Sequence, residues 1–500
     1  MTHHTHAFVL FSLFLAPSLE AQAPARPPSS VPRFAKKKLV KQFDVNKTGR
    51  LEGKERSAAM YWVKEEQQKN PPRRRRSRPA PETKLKPRQI ARDSVKHYAD
   101  RELFDVDVIR TVFLDFENPK WAEEMALFYR TDVDVPAKLT VDGKEYPGVG
   151  VHFRGSSSYF SITNRKKKSF SISLDYTNPK QKLAGHKTVN LLNGHADPSF
   201  MRTVLFSHIA SQYVAMTKAC FVHLVINGES WGLYINDQQL NKDFIEQAFK
   251  TRKGARWKIG PNFSGEAALA YQGPKAKDYQ TKYELKSAKS KKKAWNALMN
   301  LCETLSKSLP DELRKKLPKI LDVDHALRYL AVDNILMDGD GYHYRGSDYA
   351  LYLHPSGRFY PLFRDNNEAF NYGGGPGGFG REGERRRRAR GAIMDPLARA
   401  DEERAALSSK LLAVPEWRAQ YLKNCRELLD TWVDWKKVSP LIAKWRRQIE
   451  PIVKVDDKAL YGYEAFVEAL SQGSDRRPGL EKFFAERREF LLASPALKQD

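Results

Sequence analysis

The chain has 500 residues, of which 41% are hydrophobic, and 86 Lys and Arg against 60 Asp and Glu give a net charge of +26. This length and hydrophobic content suit one large domain or two to three ordinary ones, and they exclude a chain that is disordered throughout. The charge attracts polyanions such as nucleic acid, acidic glycans or anionic lipid, although a soluble basic surface explains it equally well. The wide spacing of Cys220, Cys302 and Cys425 signals neither a zinc site nor a disulfide framework, allows at most one bridge, and favours buried thiols.

The N-terminus has the pattern of an export signal. Its apolar run, residues 7 to 19, is too short to span a bilayer, and Ala21 and Ala23 follow at the spacing of signal cleavage. We therefore predict a signal peptide over residues 1–23 and an exported mature chain, which is periplasmic, cell-surface or secreted. An uncleaved core segment is the alternative. No later stretch reaches transmembrane length, so we expect no transmembrane anchor once the signal is removed.

Residues 31–66 are predicted to form a helix-loop-helix unit. Its loop, D-V-N-K-T-G-R-L-E-G-K-E, matches the EF-hand calcium loop except at position five, where Thr48 replaces a carboxylate or amide. Alternating oxygens, a glycine at the sharp turn and a bidentate acid at position twelve are what calcium coordination requires. A degenerate loop without metal is the alternative. The predicted calcium ligands are Asp44, Asn46, Thr48, the carbonyl of Arg50, Glu52 through a water, and Glu55.

Composition then divides the rest of the chain. Residues 67–97, rich in Pro and Arg, are predicted to be an extended linker, and the Arg run inside it is either a spacer or a polybasic docking site. Residues 98–497 show no further linker and are treated as one domain. Within that domain, residues 372–392 are a Gly/Arg-rich flexible insertion whose glycines are too dense for a phosphate-binding loop.

Strand and helix patterns alternate within this domain. Two hairpins are predicted at residues 140 to 154, with a D-G turn, and 221 to 236, with an N-G turn; a neighbouring strand is predicted at 169 to 174. Helices are predicted at 197 to 213, where Pro198 suits a first turn, at 292 to 332, where Asp324 is the predicted cap, and from 402 to the end.

Residues 333 to 370 place carboxylates and amides at both ends of an apolar hairpin. Asp340 lies in a D-G-D-G turn, Asp348 precedes one strand, and Asp365 follows the next, close to Asn367. Such groups are suited to holding a divalent cation against a phosphate, as phosphoryl transfer requires. Each alone is more simply explained as a capped turn. A basic run before the strand at 169 contains Lys168, which is either a phosphate ligand or part of a solvated face.

The domain resembles the CotH kinase family, the atypical protein kinases of the spore-coat type. The blocks that carry the resemblance include V-G-V-H-F-R-G-S-S-S, K-K-S-F-S-I-S-L, I-N-G-E-S-W-G-L-Y and R-D-N-N-E-A-F, in family order over about residues 148 to 371. The resemblance implies an α+β chain with a divergent kinase-like two-lobed fold, a β-rich first lobe and a helical second lobe. It also implies ATP with Mg²⁺ or Mn²⁺ as cofactor.

The resemblance assigns roles to individual residues. Lys168 and Arg154 would contact the nucleotide phosphates, Asp340 would lie nearest the acceptor hydroxyl, and Asp365 would hold the cation with Asp348 or Asn367. This chain has Asp348 eight residues after Asp340, where family members often show D-x-x-x-x-N, and Asn367 where they show the second acid of D-x-D.

Three functional hypotheses follow. The first is an exported kinase that phosphorylates Ser or Thr hydroxyls of exported proteins and carries a calcium-binding N-terminal unit. The second is a catalytically weak, kinase-like calcium-binding protein that acts in surface assembly. The third is a polyanion-binding protein that uses the Arg runs at 73 to 78 and 385 to 390, although the sequence lacks interleaved aromatics or a nucleic-acid motif.

Overall fold

The computed structural model describes residues 36–69, 86–162, 167–261, 266–372, 392–474 and 477–498. The predicted signal segment, residues 70–85 of the predicted linker, residues 373–391 of the predicted insertion and both Arg runs lie outside the described residues. In the part of the chain that is described, no helix is long and apolar enough to cross a membrane.

A closed barrel of seven strands forms the first part of the molecule. Its order is β1-β2-β3-β4-β5-β7-β6, and it closes where β1 runs parallel to β6 with Val112 opposite Leu224. The other neighbours are antiparallel, and alternating apolar residues such as Leu139, Val151 and Phe170 fill the interior. The strands are β1 Arg110–Asp115, β2 Val135–Val141, β3 Lys144–Arg154, β4 Ser169–Ser173, β5 Thr188–Leu192, β6 Ala219–Ile226 and β7 Glu229–Gln238.

A second, antiparallel sheet stands beside the barrel in the order β11-β10-β8-β9. One face, which includes Trp257 and Leu351, joins the large helical core, and the other packs Ala350 and Leu362 against a helix. Its strands are β8 Ala255–Ile259, β9 Tyr283–Ser287, β10 Tyr349–Leu353 and β11 Phe359–Phe363; a separate short ribbon pairs β12 Gly473–Ser474 with β13 Arg477–Pro478.

Helices cover the second sheet and one side of the barrel. Among them, α10 is buried along most of its length and packs on α13, which places it at the centre of the large core. The helices are α1 Val40–Phe43, α2 Gly53–Lys69, α3 Trp121–Leu127, α4 Ser157–Phe160, α5 Arg202–Ala210, α6 Lys242–Phe249, α7 Ala276–Gln280, α8 Lys291–Lys307, α9 Pro310–Lys316, α10 Val323–Ile335, α11 Tyr342–Arg345, α12 Ala406–Leu412, α13 Pro415–Thr431, α14 Trp435–Val453, α15 Tyr463–Leu470 and α16 Leu480–Ala493.

The predicted kinase-like two-lobed fold is wrong. The described chain is a mixed α+β structure in which a closed seven-stranded barrel stands beside a second sheet and the helices. The reason lies in the pairing of β1 with β6, which are far apart in sequence. Hairpin patterns predict antiparallel neighbours, but nothing local in the sequence predicts the parallel contact that closes the sheet and removes its edges.

The predictions of individual hairpins, which rest on characteristic turn residues, are confirmed. Both predicted hairpins are present, turning at Asp142–Gly143 and Asn227–Gly228, and β4 pairs with β3 as expected. The helix predicted from residue 197 begins only at Arg202, because Asp197 folds back to accept the backbone N–H groups of Ser199 and Arg202. The cap of α10 is Asp322, which accepts the N–H of His325, and the predicted cap Asp324 lies inside the helix.

All three cysteines are buried free thiols, as expected from their spacing. Burial raises the pKa of the Cys220 and Cys425 thiols to about 12, so neither forms a thiolate near neutral pH.

Candidate functional site

A cavity of about 110 Å³ lies between the outer face of the barrel and the β10–β11 hairpin. Five of the residues predicted for the main domain line it together, although three elements distant in sequence supply them. This volume accommodates several waters but is below that of a typical pocket for an organic ligand, so it fits the phosphate end of a nucleotide with a cation. The five residues are Arg154, Asp340, Asp348, Asp365 and Asn367.

The β10–β11 hairpin brings two of the predicted acids to one edge of its sheet. Tyr349 is opposite Phe363 in the strand register, so Asp348 just before β10 and Asp365 just after β11 project from the same end. Both have left-handed backbone conformations, with φ of 49° and 62°. Asp adopts this conformation more readily than most non-glycine residues, so both positions at this sheet edge suit an aspartate.

Asp348 is the more buried of these two acids, with 4% of its surface exposed. Its Oδ1 accepts a hydrogen bond from Arg364 Nη1 at 3.3 Å, whereas its Oδ2 is buried without a hydrogen-bond partner. Burial, and then the neighbouring charge of Asp365, raise the pKa of Asp348 to about 7. A buried carboxylate oxygen without a partner is costly, so this atom is suited to receiving a cation or a proton.

Asp340 lies on the loop between α10 and α11. Its carboxylate forms an ion pair with Arg345, and its backbone N–H donates to Asp338 Oδ1 at 3.3 Å. Burial raises the pKa of Asp340 to about 6; the charge of Arg345 opposes this shift, and Glu368 and Asp365 add to it. A carboxylate with a pKa just below neutrality is well matched to accepting a proton at physiological pH.

A buried polar network holds the loop of Asp340 in place. Asp333 Oδ2 accepts from both the backbone N–H and Nδ1 of His343 at 2.7 Å, and both side chains are fully buried. Asn366 Nδ2 donates to Asp338 Oδ2 at 2.7 Å, which ties the loop to the segment that carries Asp365. Burial raises the pKa of Asp338 well above its usual range. These buried contacts fix the distance between the loop that carries Asp340 and the segment that carries Asp365.

Arg154 ends β3 on the outer face of the barrel. Its Nη1 is buried without a hydrogen-bond partner, and burial lowers the pKa of the guanidinium while Asp237 and Asp365 oppose that change. Strand register places Asp237 on the same face, through Ser171 opposite Asn190 and Asn190 opposite Asp237. An unsatisfied guanidinium donor at the cavity wall favours an anionic ligand.

Sequence reasoning missed two features near Arg154. Burial raises the pKa of Asp237 to about 6, and its position on the same face of β7 as the buried Leu233 and Ile235 was the signal that could have identified it. The second feature is the serine turn, Gly155–Ser158, which lines the cavity. Gly155 has φ of +97°, and a Cβ there would meet Ser158 Oγ at 2.1 Å, so this turn requires glycine.

The opposite wall comes from the segment before α5. Asn367 is oriented by this segment, because its Nδ2 donates to the carbonyl of His195 at 3.3 Å. Asn193 donates from Nδ2 to the carbonyl of Lys167 at 3.0 Å, and Thr203 on α5 contributes to the same wall. The cavity therefore combines a basic and hydroxyl-rich barrel side with an acidic hairpin side.

Lys168 is not among the residues that line the cavity. Its ammonium donates to the carbonyls of Tyr159 at 2.7 Å and Ile162 at 2.6 Å, and burial lowers its pKa to about 8. The adjacent Lys167 points elsewhere as well, since it donates to the carbonyl of Leu233 and pairs with Asp456. Arg154 is thus the predicted phosphate ligand that the fold brings to the acids.

Two of the acids of the cavity are paired with arginines. Among the described residues, no three His, Cys, Asp or Glu side chains are grouped so as to hold a metal ion. Arg345 forms an ion pair with Asp340, and Arg364 forms one with Asp348. The donor set still fits Mg²⁺ or Mn²⁺, since it consists of carboxylate and amide oxygens and leaves Asp348 Oδ2 without a partner.

The calcium-type loop folds around its own acids. Asp44 accepts the N–H groups of Thr48 at 3.0 Å and Gly49 at 2.8 Å, and Glu55 accepts those of Val45 and Asn46 at 2.9 and 3.1 Å. The hydroxyl of Thr48 donates to the carbonyl of Arg50, and Arg50 pairs with Glu52. Positions one and twelve therefore face the loop interior, as calcium binding requires, while positions five, seven and nine are engaged with each other.

A larger cavity of about 540 Å³ lies on the other side of α5. Phe104, Val204, Met216 and Phe244 are among the residues that line it, and none of the residues predicted for catalysis does. Volume alone therefore does not identify the functional site, and the unsatisfied charged atoms of the smaller cavity are the stronger indication.

A family model described as CotH kinase protein matches residues 151–491 of the chain. Every residue named above for the smaller cavity falls within this range, whereas the calcium-type loop lies before it. No curated protein matches the chain.

Proposed function

The chain belongs to the CotH kinase family, a family of spore-coat-type kinase-like proteins, and from that premise we propose that it transfers phosphate from ATP to Ser or Thr hydroxyls of exported or surface proteins. The observation that supports this most directly is the convergence of Arg154, Asp340, Asp348, Asp365 and Asn367 on one cavity. Phosphoryl transfer depends mainly on positioning and on charge stabilisation, and this cavity offers groups for both.

The barrel side of the cavity binds phosphate. Arg154 directs its unpartnered Nη1 to a phosphate oxygen, and the serine turn contributes hydroxyl groups beside it. A bound phosphate removes the cost of the buried donor, and bidentate arginine contacts also orient the phosphate. Arg154 therefore acts as the main phosphate-binding cation in this proposal.

The hairpin side holds the cation. Asp365 and Asp348 supply carboxylate oxygens, and Asn367 supplies an uncharged amide oxygen. When bound, Mg²⁺ or Mn²⁺ neutralises charge on the phosphates of ATP. A cation held there would compete with Arg364 for Asp348 Oδ1.

Asp340 accepts the proton of the acceptor hydroxyl. With a pKa of about 6 it is mostly ionised at pH 7, and Arg345 keeps it so until the acceptor binds. The acceptor oxygen forms a bond to the terminal phosphorus while the bond from that phosphorus to the bridging oxygen breaks, and ADP leaves. The hydrogen bonds between Asp333 and His343 hold the loop that carries Asp340, and so keep its carboxylate at the required position.

Labelled-phosphate transfer tests this proposal. The purified protein is incubated with labelled ATP, Mg²⁺ or Mn²⁺ and an extract of exported proteins, beside Asp365→Ala and the control Asp311→Ala, whose exposed carboxylate pairs with Arg314 on α9. We expect label on Ser or Thr with the parent and the control, and a loss of at least about 100-fold with Asp365→Ala. The absence of both transfer and a Mg-ATP thermal shift in the parent would refute the proposal.

A catalytically weak assembly protein is the second candidate function. The engagement of Lys168 by two carbonyls and of two cavity acids by arginines favours it, since these groups must rearrange before a nucleotide is held. This candidate predicts calcium binding without phosphate transfer. The transfer assay above, run beside a calcium titration, distinguishes the two.

Export and calcium binding are part of the same proposal. The apolar N-terminal run supports export, and the inward-facing Asp44 and Glu55 support calcium binding at the loop. If the acceptors are exported proteins, secretion places enzyme and acceptor in one compartment.

Polyanion binding through the two Arg runs would be seen as salt-sensitive binding that is lost when those runs are neutralised.

A further inference from the structure

The residues that follow α3 contact the serine turn and hold it in place. Arg130 Nη2 donates to Ser156 Oγ at 3.3 Å, and its guanidinium lies 4.8 Å from the ring centre of Phe160. The hydroxyl of Tyr129 donates to the carbonyl of Gly155 at 2.6 Å, and the Tyr129 ring stacks on Tyr159 at 3.5 Å. Tyr129 and Arg130 therefore hold the first two residues of the turn and the aromatic residues of α4.

The same segment is bonded on its other side to the N-terminal unit, residues 36–69. Lys37 N–H donates to the carbonyl of Arg130 at 2.9 Å, and the carbonyl of Lys37 accepts from Asp132 N–H at 3.1 Å. Asp132 Oδ1 accepts the N–H groups of Leu39 and Val40 at 2.7 and 3.2 Å, so it caps the first helix of that unit. The segment from Arg130 to Asp132 thus connects the N-terminal unit to the cavity wall.

The N-terminal unit packs closely on α3, so a shift of the segment that follows α3 is felt in this unit. Leu39 and Leu51 are buried in the same apolar cluster as Trp121 and Met125 of α3. Arg56 forms an ion pair with the buried Glu124 at 2.7 Å. Arg130 itself has a left-handed backbone, with φ of 63°, in the short connection between these contacts and the serine turn. Such a strained residue is held in place only by its neighbours on both sides.

We propose that Arg130 is a positioning residue that sets the serine turn over the phosphate cavity and couples it to the N-terminal unit. The coupling rests on the proposed nucleotide binding at that cavity. A phosphate that orders the serine turn also orders Arg130, and through Asp132 it stabilises the first helix of the N-terminal unit. Coupling between two sites is reciprocal. Ordering of the first helix therefore strengthens phosphate binding by the same factor by which bound phosphate favours the ordered helix.

Hydrogen exchange on the full-length protein tests the coupling. Backbone amides are followed with and without saturating Mg-ATP, and the readout is exchange in residues 36–69, which do not touch the cavity. We expect Mg-ATP to slow exchange at Leu39 and Val40 by on the order of fivefold. Binding of Mg-ATP without slower exchange in this unit overturns the coupling and leaves the proposed function intact, whereas no binding of Mg-ATP counts against the proposed function.

Three variants isolate the role of Arg130. Arg130→Met is expected to weaken Mg-ATP binding roughly fivefold and to abolish the slower exchange in the N-terminal unit. Arg130→Lys, which keeps one donor and the charge, restores part of both effects. Lys138→Met is the matched control, since it removes a cation of strand β2 that pairs with Glu145 at 2.8 Å, away from the serine turn. Slower exchange that persists in a folded Arg130→Met protein would overturn the proposal.

Discussion

Two atoms carry the functional argument at the scale of the residue. Arg154 Nη1 and Asp348 Oδ2 are both buried and both without a hydrogen-bond partner, on opposite walls of one cavity. Most buried polar atoms in folded proteins have partners, and each exception needs a physical explanation. A phosphate on one side and a cation on the other would satisfy both atoms at once. Neither atom could be recognised from residue type, since only the fold decides which donor is left without a partner.

His223 gives a prediction about acid stability. Burial, and then the charges of Lys167 and Arg88, lower its pKa to about 4, and its Nε2 lies 2.8 Å from Ser230 Oγ. The unfolded chain binds this proton near pH 6.5 and the folded chain only near pH 4, so the stabilisation is fully present above pH 6.5 and is lost as the pH falls towards 4.

We therefore expect His223→Gln to reduce the loss of unfolding free energy between pH 7 and pH 4.5 by on the order of 2 kcal/mol. Urea unfolding at the two pH values, compared with the parent, measures it. An unchanged difference between the two pH values would show that His223 is not held neutral. The comparison with the parent removes the opposite contribution of the acids with raised pKa.

At the scale of the element, the hairpin and the loop before it act together. The β10–β11 register fixes Asp348 and Asp365 at one sheet edge, while Asp333 and Asp338 anchor the loop of Asp340 from behind. The sheet therefore sets one half of the acidic wall and a buried hydrogen-bond network sets the other. We expect substitutions in the network to alter the proposed phosphate transfer, although none of its residues would touch the substrate.

Gly341 offers a test of that support. A Cβ at this position would meet Asp333 Oδ1 at 2.3 Å and Asp338 Cβ at 3.0 Å, and neither buried residue has room to retreat. We expect Gly341→Ala to lower phosphate transfer at least about tenfold and to cost about 1–3 kcal/mol of stability. Transfer assays and thermal unfolding beside Gly462→Ala, where no atom lies within 4 Å of the new Cβ, check this. Equal activity of the two variants would contradict the positioning role.

The calcium-type loop gives a second prediction at this scale. Glu55 at position twelve is placed to supply two oxygens, and its carboxylate now accepts three N–H groups of the loop. We expect Glu55→Gln to weaken calcium binding by roughly tenfold or more, because one charge and one oxygen ligand are removed. Calorimetric titration beside Glu66→Gln on the same helix measures the change. No binding heat in the parent at millimolar calcium would mean that the loop is structural.

At the scale of the whole molecule, the barrel and the helical part are joined by a buried ion pair. Lys167, just before β4, pairs with Asp456 just after α14, and 0% and 1% of the two side chains is exposed. Lys167 also lies over the rings of Phe200 and Tyr234. The pair connects the cavity side of the barrel to the C-terminal helices, so its loss affects the assembly of the whole domain.

Asp456→Ala leaves a buried lysine without its carboxylate, and we expect a loss of about 3–5 kcal/mol of unfolding free energy. The double change Lys167→Met with Asp456→Leu removes both charges and is expected to recover most of that loss. Urea unfolding of both variants at pH 7 decides the point. If the double variant is as unstable as the single one, the pair contributes through packing rather than charge.

The sequence by itself determined the local elements of this protein. The turns Asp142–Gly143 and Asn227–Gly228, the strand pair around 349 to 363 and the C-terminal helices follow from turn chemistry and periodicity, and the structure has them. The family resemblance was also readable from the ordered blocks, and the family match over residues 151–491 confirms it. These features depend on neighbours in the chain, which is why they could be predicted.

Only the tertiary structure decided how those elements assemble. The parallel contact of β1 with β6 closes the barrel and replaces the expected two-lobed fold, and no local pattern encodes a contact over that separation. The same holds for the cavity, where Arg154 reaches the acids while Lys168 is turned to the carbonyls of Tyr159 and Ile162. Residue types can be read from the chain, but which of them meet, and which charged atoms remain without partners, depends on packing between distant segments.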